Sequence, residues 1–210
     1  MLTVLKWGVI ASFLICVISL IVLVLKTFSF GRRPLYAKSQ GEGRKGIFYA
    51  FVKGMMPWEK ESARRHIFSY LAGIFYHGGI FVVFFYLFSL VISLELRMPV
   101  IFLFRILIGF SLICGIGIFI KRIIHIPLRK ISCPDDFAAN LIVDMFLALA
   151  LLSTFYPLLK LYFYLLSIVL FLYIPLGKIR HCVFFFYVRI LFGLFYGKRG
   201  VLPPKIKFES

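Results

Sequence analysis

The chain has 210 residues, is 62% hydrophobic and 19% aromatic, and has a mean hydropathy of +0.99. A water-soluble domain of this size cannot hide that much apolar surface, so the composition excludes a soluble globular protein and points to a single all-α bundle in a membrane. The net charge of +17 comes from 25 Lys plus Arg against 8 Asp plus Glu. Because the basic residues sit between apolar runs, they read as topology signals and contacts to membrane lipid, and no nucleic-acid partner is expected.

The apolar runs are long and continuous and show no period of two, which argues against a transmembrane β-barrel. A bilayer core takes about 20 apolar residues per helix. On that measure residues 1–210 form one transmembrane domain with five spans, at about 7–25, 67–94, 99–120, 137–156 and 158–175. The first span has no small-residue cleavage site and is followed by Lys26, Arg32 and Arg33, so it reads as a retained anchor. Pro157 marks the short turn between the last two spans. A further apolar stretch, Cys182 to Tyr196, reads either as a continuation of the fifth span past a kink at Pro175 or as a helix lying at the interface.

The segments 26–65, 121–130 and 178–210 carry 21 basic residues, against three (Lys6, Arg97 and Lys160) on the other side. The positive-inside rule then places the N-terminus outside and the C-terminus inside. This makes 26–65 a cytoplasmic loop with interfacial helices and 178–210 a cytoplasmic tail. The loop, with Arg32, Arg33, Trp58, Arg64 and Arg65, is the natural dock for a soluble partner; the competing reading is a basic loop resting on lipid headgroups. The four cysteines (Cys16, Cys114, Cys133 and Cys182) form no CxxC pair and read as packing thiols. No hydrolase constellation, phosphate loop or metalloprotease pattern is present.

Four histidines occur. His66 and His125 belong to the basic edges "SARRHIF" and "KRIIHIPLRK" and read as surface residues. His77, in "GIFYHGGIFVVFFYLF", lies about 18 Å along the second span from Arg65. A polar group at that depth is costly and usually functional. Three roles are open: a packing histidine, a proton carrier, or a ligand of a metal or haem. The surroundings favour haem, because Gly73 and Gly78 remove side chains that would hold a flat macrocycle away from the backbone. A six-coordinate haem takes a second axial ligand at similar depth, and His181 in "PLGKIRH" suits it if the fifth span continues past Pro175.

The pairing of "FYHGGIFVVFF" with "PLGKIRH" resembles the cytochrome b (gamma) subunit of respiratory nitrate reductase. It is also similar to the cytochrome b subunits of sulfate-reducer membrane complexes that sit beside heterodisulfide-reductase-like iron–sulfur proteins. The resemblance implies five spans with the N-terminus outside and a haem near the cytoplasmic side ligated by His77 and His181. The family's outer haem takes histidines where this chain has Leu87 and Phe163, so one haem b is expected rather than two. A second haem recruiting His66 or His125 is the less favoured alternative.

Four further polar residues fall within the spans. Arg105 reads either as a contact to a haem propionate or quinone carbonyl or as a residue snorkelling to the outer interface. Asp144 reads as a proton relay, as the partner of a basic residue, or as bonded to a helix neighbour. Tyr86 and Tyr162 are lesser candidates near the outer level. The expected function is electron transfer between menaquinone or ubiquinone and a cytoplasmic iron–sulfur subunit, within a hetero-oligomer of a prokaryotic inner membrane. The alternative is a haem-free structural anchor of a multisubunit complex. A transporter fits poorly, since no inverted repeat is visible.

Overall fold

The computed structural model describes residues 2–31 and 37–204. Among these, nine α-helices and four short 3-10 turns occur and no strand. The helices are α1 (Leu2–Phe28), α2 (Gly43–Phe51), α3 (Glu61–Arg65), α4 (Ile67–Val91), α5 (Met98–Ile124), α6 (Ile126–Ile131), α7 (Pro134–Ser153), α8 (Lys160–Tyr173) and α9 (His181–Lys198). Five are long and apolar enough to cross a membrane: α1, α4, α5, α7 and α9 with its preceding turn, Lys178–Lys198. The chain is a multi-pass membrane protein.

The fifth long helix is not the expected one. The expected span 158–175 is a shorter apolar helix, Pro157–Tyr173, and the stretch left open between kink and interface is a separate long helix. The break is local. The amides of Leu176 and Gly177 both bond back to the Tyr173 carbonyl, at 3.0 and 2.9 Å. A Cβ on Gly177 would lie 2.5 Å from the Tyr173 ring, so only glycine lets the chain turn this tightly there.

Helix boundaries follow capping more than hydropathy. α7 starts at Pro134, three residues before its apolar run, because Cys133 and Asp136 form a reciprocal capping box in which the Cys133 amide donates to Asp136 Oδ2 at 2.8 Å. α4 stops at Val91 because Ser93 takes a φ of 59° and the Leu94 amide bonds back to the Ser89 carbonyl at 2.8 Å. This is a Schellman stop built on a residue other than glycine. α9 ends in the same way on Gly200, with φ of 70° and Val201 N–H bonded to the Tyr196 carbonyl.

The described chain divides into two compact units. The first takes residues 2–19 and 68–179. Its core is aromatic: Phe163 stacks on Tyr86 and on Phe146, Phe84 stacks on Phe171, and Phe13 meets both Phe88 and Phe171 edge-on. Each such ring pair contributes about 0.5–1.5 kcal/mol beyond its burial. Its edge is latched by charge. Asp136 pairs with Lys178 at 2.7 Å and with Arg122 at 3.4 Å, while Asp135 accepts from the Lys178 amide and the Tyr173 hydroxyl.

The second unit takes residues 20–31, 37–67 and 180–204. Here α2 lies directly on α9. A Cβ on Gly46 would overlap the Gly193 carbonyl, and one on Gly197 would sit 2.8 Å from the Glu42 carbonyl and 2.9 Å from Gly46 Cα. The amides of Gln40 and Gly41 close the join by donating to the Lys198 carbonyl at 2.8 and 3.1 Å. Glycine at 193 and 197 is the small-xxx-small pattern that lets helix backbones touch.

Candidate functional site

His77 lies in mid-α4, within the first unit, between residues that are apolar on all sides. Its Nδ1 is 2.7 Å from the Gly73 carbonyl, one turn back on the same helix. A carbonyl only accepts, so in this bond Nδ1 carries the ring proton. Such a backbone anchor orients histidine ligands and raises their basicity. The ring is exposed at the surface of the helix.

The glycines around it divide the work. Cβ atoms at Gly73 and Gly78 would meet open space, so these two leave the flank of α4 beside His77 free for a flat group. Gly79 serves packing instead: a Cβ there would overlap the Ser111 side chain of α5. Ser111 Oγ also donates to the Tyr76 carbonyl at 2.9 Å, across that close crossing. A helical projection separates positions 78 and 79 by about 100°, which places them on different flanks of α4.

His181 is the first residue of α9, in the second unit, and is exposed. Leu87 and Phe163 are both fully buried in the aromatic core. His66 and His125 are exposed at helix junctions.

Arg105 is committed to the end of α7. Its Nε donates to Thr154 Oγ1 at 3.0 Å, its Nη2 donates to the Thr154 carbonyl at 2.7 Å, and its guanidinium lies 3.9 Å over the Phe155 ring. A cation there satisfies carbonyls left open at a helix C-terminus and meets the negative end of its dipole. Tyr86 is buried, with its hydroxyl 3.2 Å from Ser153 Oγ, whereas Tyr162 is exposed.

Asp144 sits in a buried polar cluster that the sequence reading did not assemble. Asn140 Nδ2 donates to Asp144 Oδ2 at 2.9 Å and reaches the Tyr76 hydroxyl at 3.4 Å. Tyr76, Asn140 and Asp144 are each less than 9% exposed. Asp144 Oδ1 is buried without a hydrogen-bond partner among the described residues. The space it occupies exists because residue 115 is glycine; a Cβ there would overlap both that oxygen and the Tyr76 ring. The i,i+4 spacing of Asn140 and Asp144 was the available signal.

Trp58, Arg64 and Arg65 are exposed in the second unit, and Arg65 pairs with Glu61. Arg32 and Arg33 lie outside the described residues. Nearby, the Tyr49 hydroxyl donates to Glu59 at 2.8 Å; partial burial, then that carboxylate, raise its pKa above the ordinary value. Burial, then the Arg189 charge, lower that of Lys60. Among the described residues no group of three or more His, Cys, Asp or Glu is placed to hold a metal ion. Compared with protein-family models, curated proteins and solved structures, the chain matches none.

Proposed function

We propose that this chain is a haem b-carrying membrane subunit that passes electrons between a quinone and a cytoplasmic iron–sulfur partner. The observation that carries the reading is the bond from His77 Nδ1 to the Gly73 carbonyl, which orients an imidazole in the middle of an apolar helix. The resemblance of "FYHGGIFVVFF" and "PLGKIRH" to the nitrate reductase gamma subunit implies His181 as the second ligand. The residues present suit the group: two imidazoles, and glycines at 73 and 78 that leave the helix flank open. A bound haem supplies one-electron chemistry. His77 and His181 hold and orient it, apolar neighbours exclude water, and the basic loop carrying Trp58, Arg64 and Arg65 draws an acidic face of the partner.

The N-terminus lies outside in this proposal, because the segments between α1 and α4 and between α5 and α7 hold most of the basic residues. α8 is the fifth crossing in this proposal, and the segment from 178 onward lies on the inner side.

The test is a dithionite-reduced minus oxidised spectrum of the chain purified with its native partners, with haem quantified per chain. One low-spin haem b is expected, lost in His77→Ala and in His181→Ala and kept in His66→Ala. A full low-spin spectrum in His77→Ala overturns the ligand assignment. The second reading, a haem-free anchor, draws on the closed aromatic packing around Leu87 and Phe163; absence of any haem in the native complex would establish it.

A further inference from the structure

We infer that the outward face of α2 binds the phosphodiester headgroup of an anionic phospholipid. A cavity of about 440 Å³ opens beside this helix. Arg44, Lys45 and Lys53 supply its charge, and Phe48, Val52 and Pro203 supply its apolar wall. Positions 44, 45, 48 and 52 share one face of the helix and its continuation. The other face, with Gly43, Gly46 and Ala50, is taken up by α9.

The occupant follows from charge, surface and level. Lys45 pairs with Glu42 at 2.7 Å in an exposed setting where such pairs are weak, and Lys53 stands 3.7 Å from the half-buried Glu59. Arg44 is in no ion pair among the described residues. A guanidinium matches two phosphate oxygens with parallel N–H donors. Phe48 is 70% exposed and Val52 43%, an apolar surface that acyl chains cover and an inorganic anion does not. The level follows from the proposed topology: the segment 26–65 that carries α2 holds ten basic residues and lies at the inner membrane surface. Apolar sequence gives way to charge at the headgroup layer. A single phospholipid meets all three conditions.

The inference does not depend on haem, and its test does not read haem. The full-length chain, purified in a non-ionic detergent, is titrated with phosphatidylglycerol or phosphatidylcholine and followed by native mass spectrometry and thermal unfolding. Phosphatidylglycerol is expected to be retained and to raise the unfolding temperature, and phosphatidylcholine to do neither. Arg44→Gln and Lys53→Gln each weaken retention roughly fivefold, the effect of one basic residue at an anionic surface. Arg129→Gln, at an exposed basic residue outside the groove, leaves it unchanged. All three positions are exposed, so an unaltered elution profile and helix content are the folding control. Equal retention of the two lipids, or an equal loss in Arg129→Gln, overturns the assignment. So does inorganic phosphate reproducing the thermal shift, which would make the site one for a soluble anion. If Arg44→Gln changes only the oligomeric state, the face joins copies of the chain and the lipid assignment falls.

Discussion

The two units hold their helices together by opposite means. In the first, large rings fill the space between helices, and Phe146, Phe163 and Leu87 are fully enclosed. In the second, α2 and α9 meet closely through glycine, with Gly46 against Gly193 and Gly197, and Phe51 stacks on Phe186 further along the same pair of helices. Lipid tails are as apolar as leucine, so neither contact gains much from the hydrophobic effect within a bilayer, and close packing has to supply the attraction. Rings achieve it by filling volume and glycines by removing it. The first unit is therefore sensitive to loss of atoms and the second to their gain.

The largest effect is expected from Phe163→Ala in the first unit. It removes a ring that stacks on Tyr86 and Phe146 and leaves a cavity, at a cost of about 3–5 kcal/mol. Reversible unfolding in mixed detergent micelles reads this directly. Phe163→Leu, which keeps most of the volume, recovers more than half of the loss. If Phe163→Ala costs under 1 kcal/mol, the ring-filled picture of this unit is wrong.

The next effect sharpens the contrast because it adds atoms. Gly46→Ala introduces one methyl where the Gly193 carbonyl and Gly197 Cα already stand. Backbone cannot rotate away as a side chain can, so the expected cost is about 1–3 kcal/mol. It should appear as faster proteolysis between α2 and α3 while the first unit keeps its protection. Gly78→Ala is the internal control: its Cβ meets open space, so a single methyl there leaves the unfolding profile intact.

The same contrast explains what the sequence disclosed. The four long helices α1, α4, α5 and α7 were legible because a span apolar on all sides needs no knowledge of its neighbours. Their ends were less so. Hydropathy changes at Phe137, but Pro134, Asp136 and Cys133 start α7 earlier through capping. Ser93 stops α4 in a left-handed conformation that glycine would have advertised, as Gly200 does after α9. The apolar stretch beyond Pro175 was visible, and its separation from α8 turns on Gly177 meeting the Tyr173 ring, a contact that hydropathy does not register. At the candidate site, His77 stood out as a lone polar residue in an apolar run. The roles of Gly79 and Gly115 did not, since a close approach between helices is a property of two segments and the sequence displays them one at a time. Arg105 drew attention as a charge in a span, but its tie to Thr154 depends on where α7 ends.

The smallest expected effect concerns Asp144, the one place where the ring-packed unit buries a carboxylate oxygen with no described partner. Leaving such an oxygen dry costs about 1–3 kcal/mol, and a charged carboxylate more. Asn140 bonds the other oxygen, Oδ2. Asp144→Asn keeps an acceptor for that bond and removes the charge. If the cluster serves packing alone, the substitution raises stability by on the order of 1 kcal/mol in the unfolding assay that reads Phe163→Ala. A fall in stability instead would show that Oδ1 is satisfied in the membrane by water or by a group from a partner. A rise in stability accompanied by loss of quinone-linked electron transfer would mark Asp144 as a residue kept at a cost to the fold, which is the pattern expected of a functional site. The substitution therefore separates a packing residue from a working one.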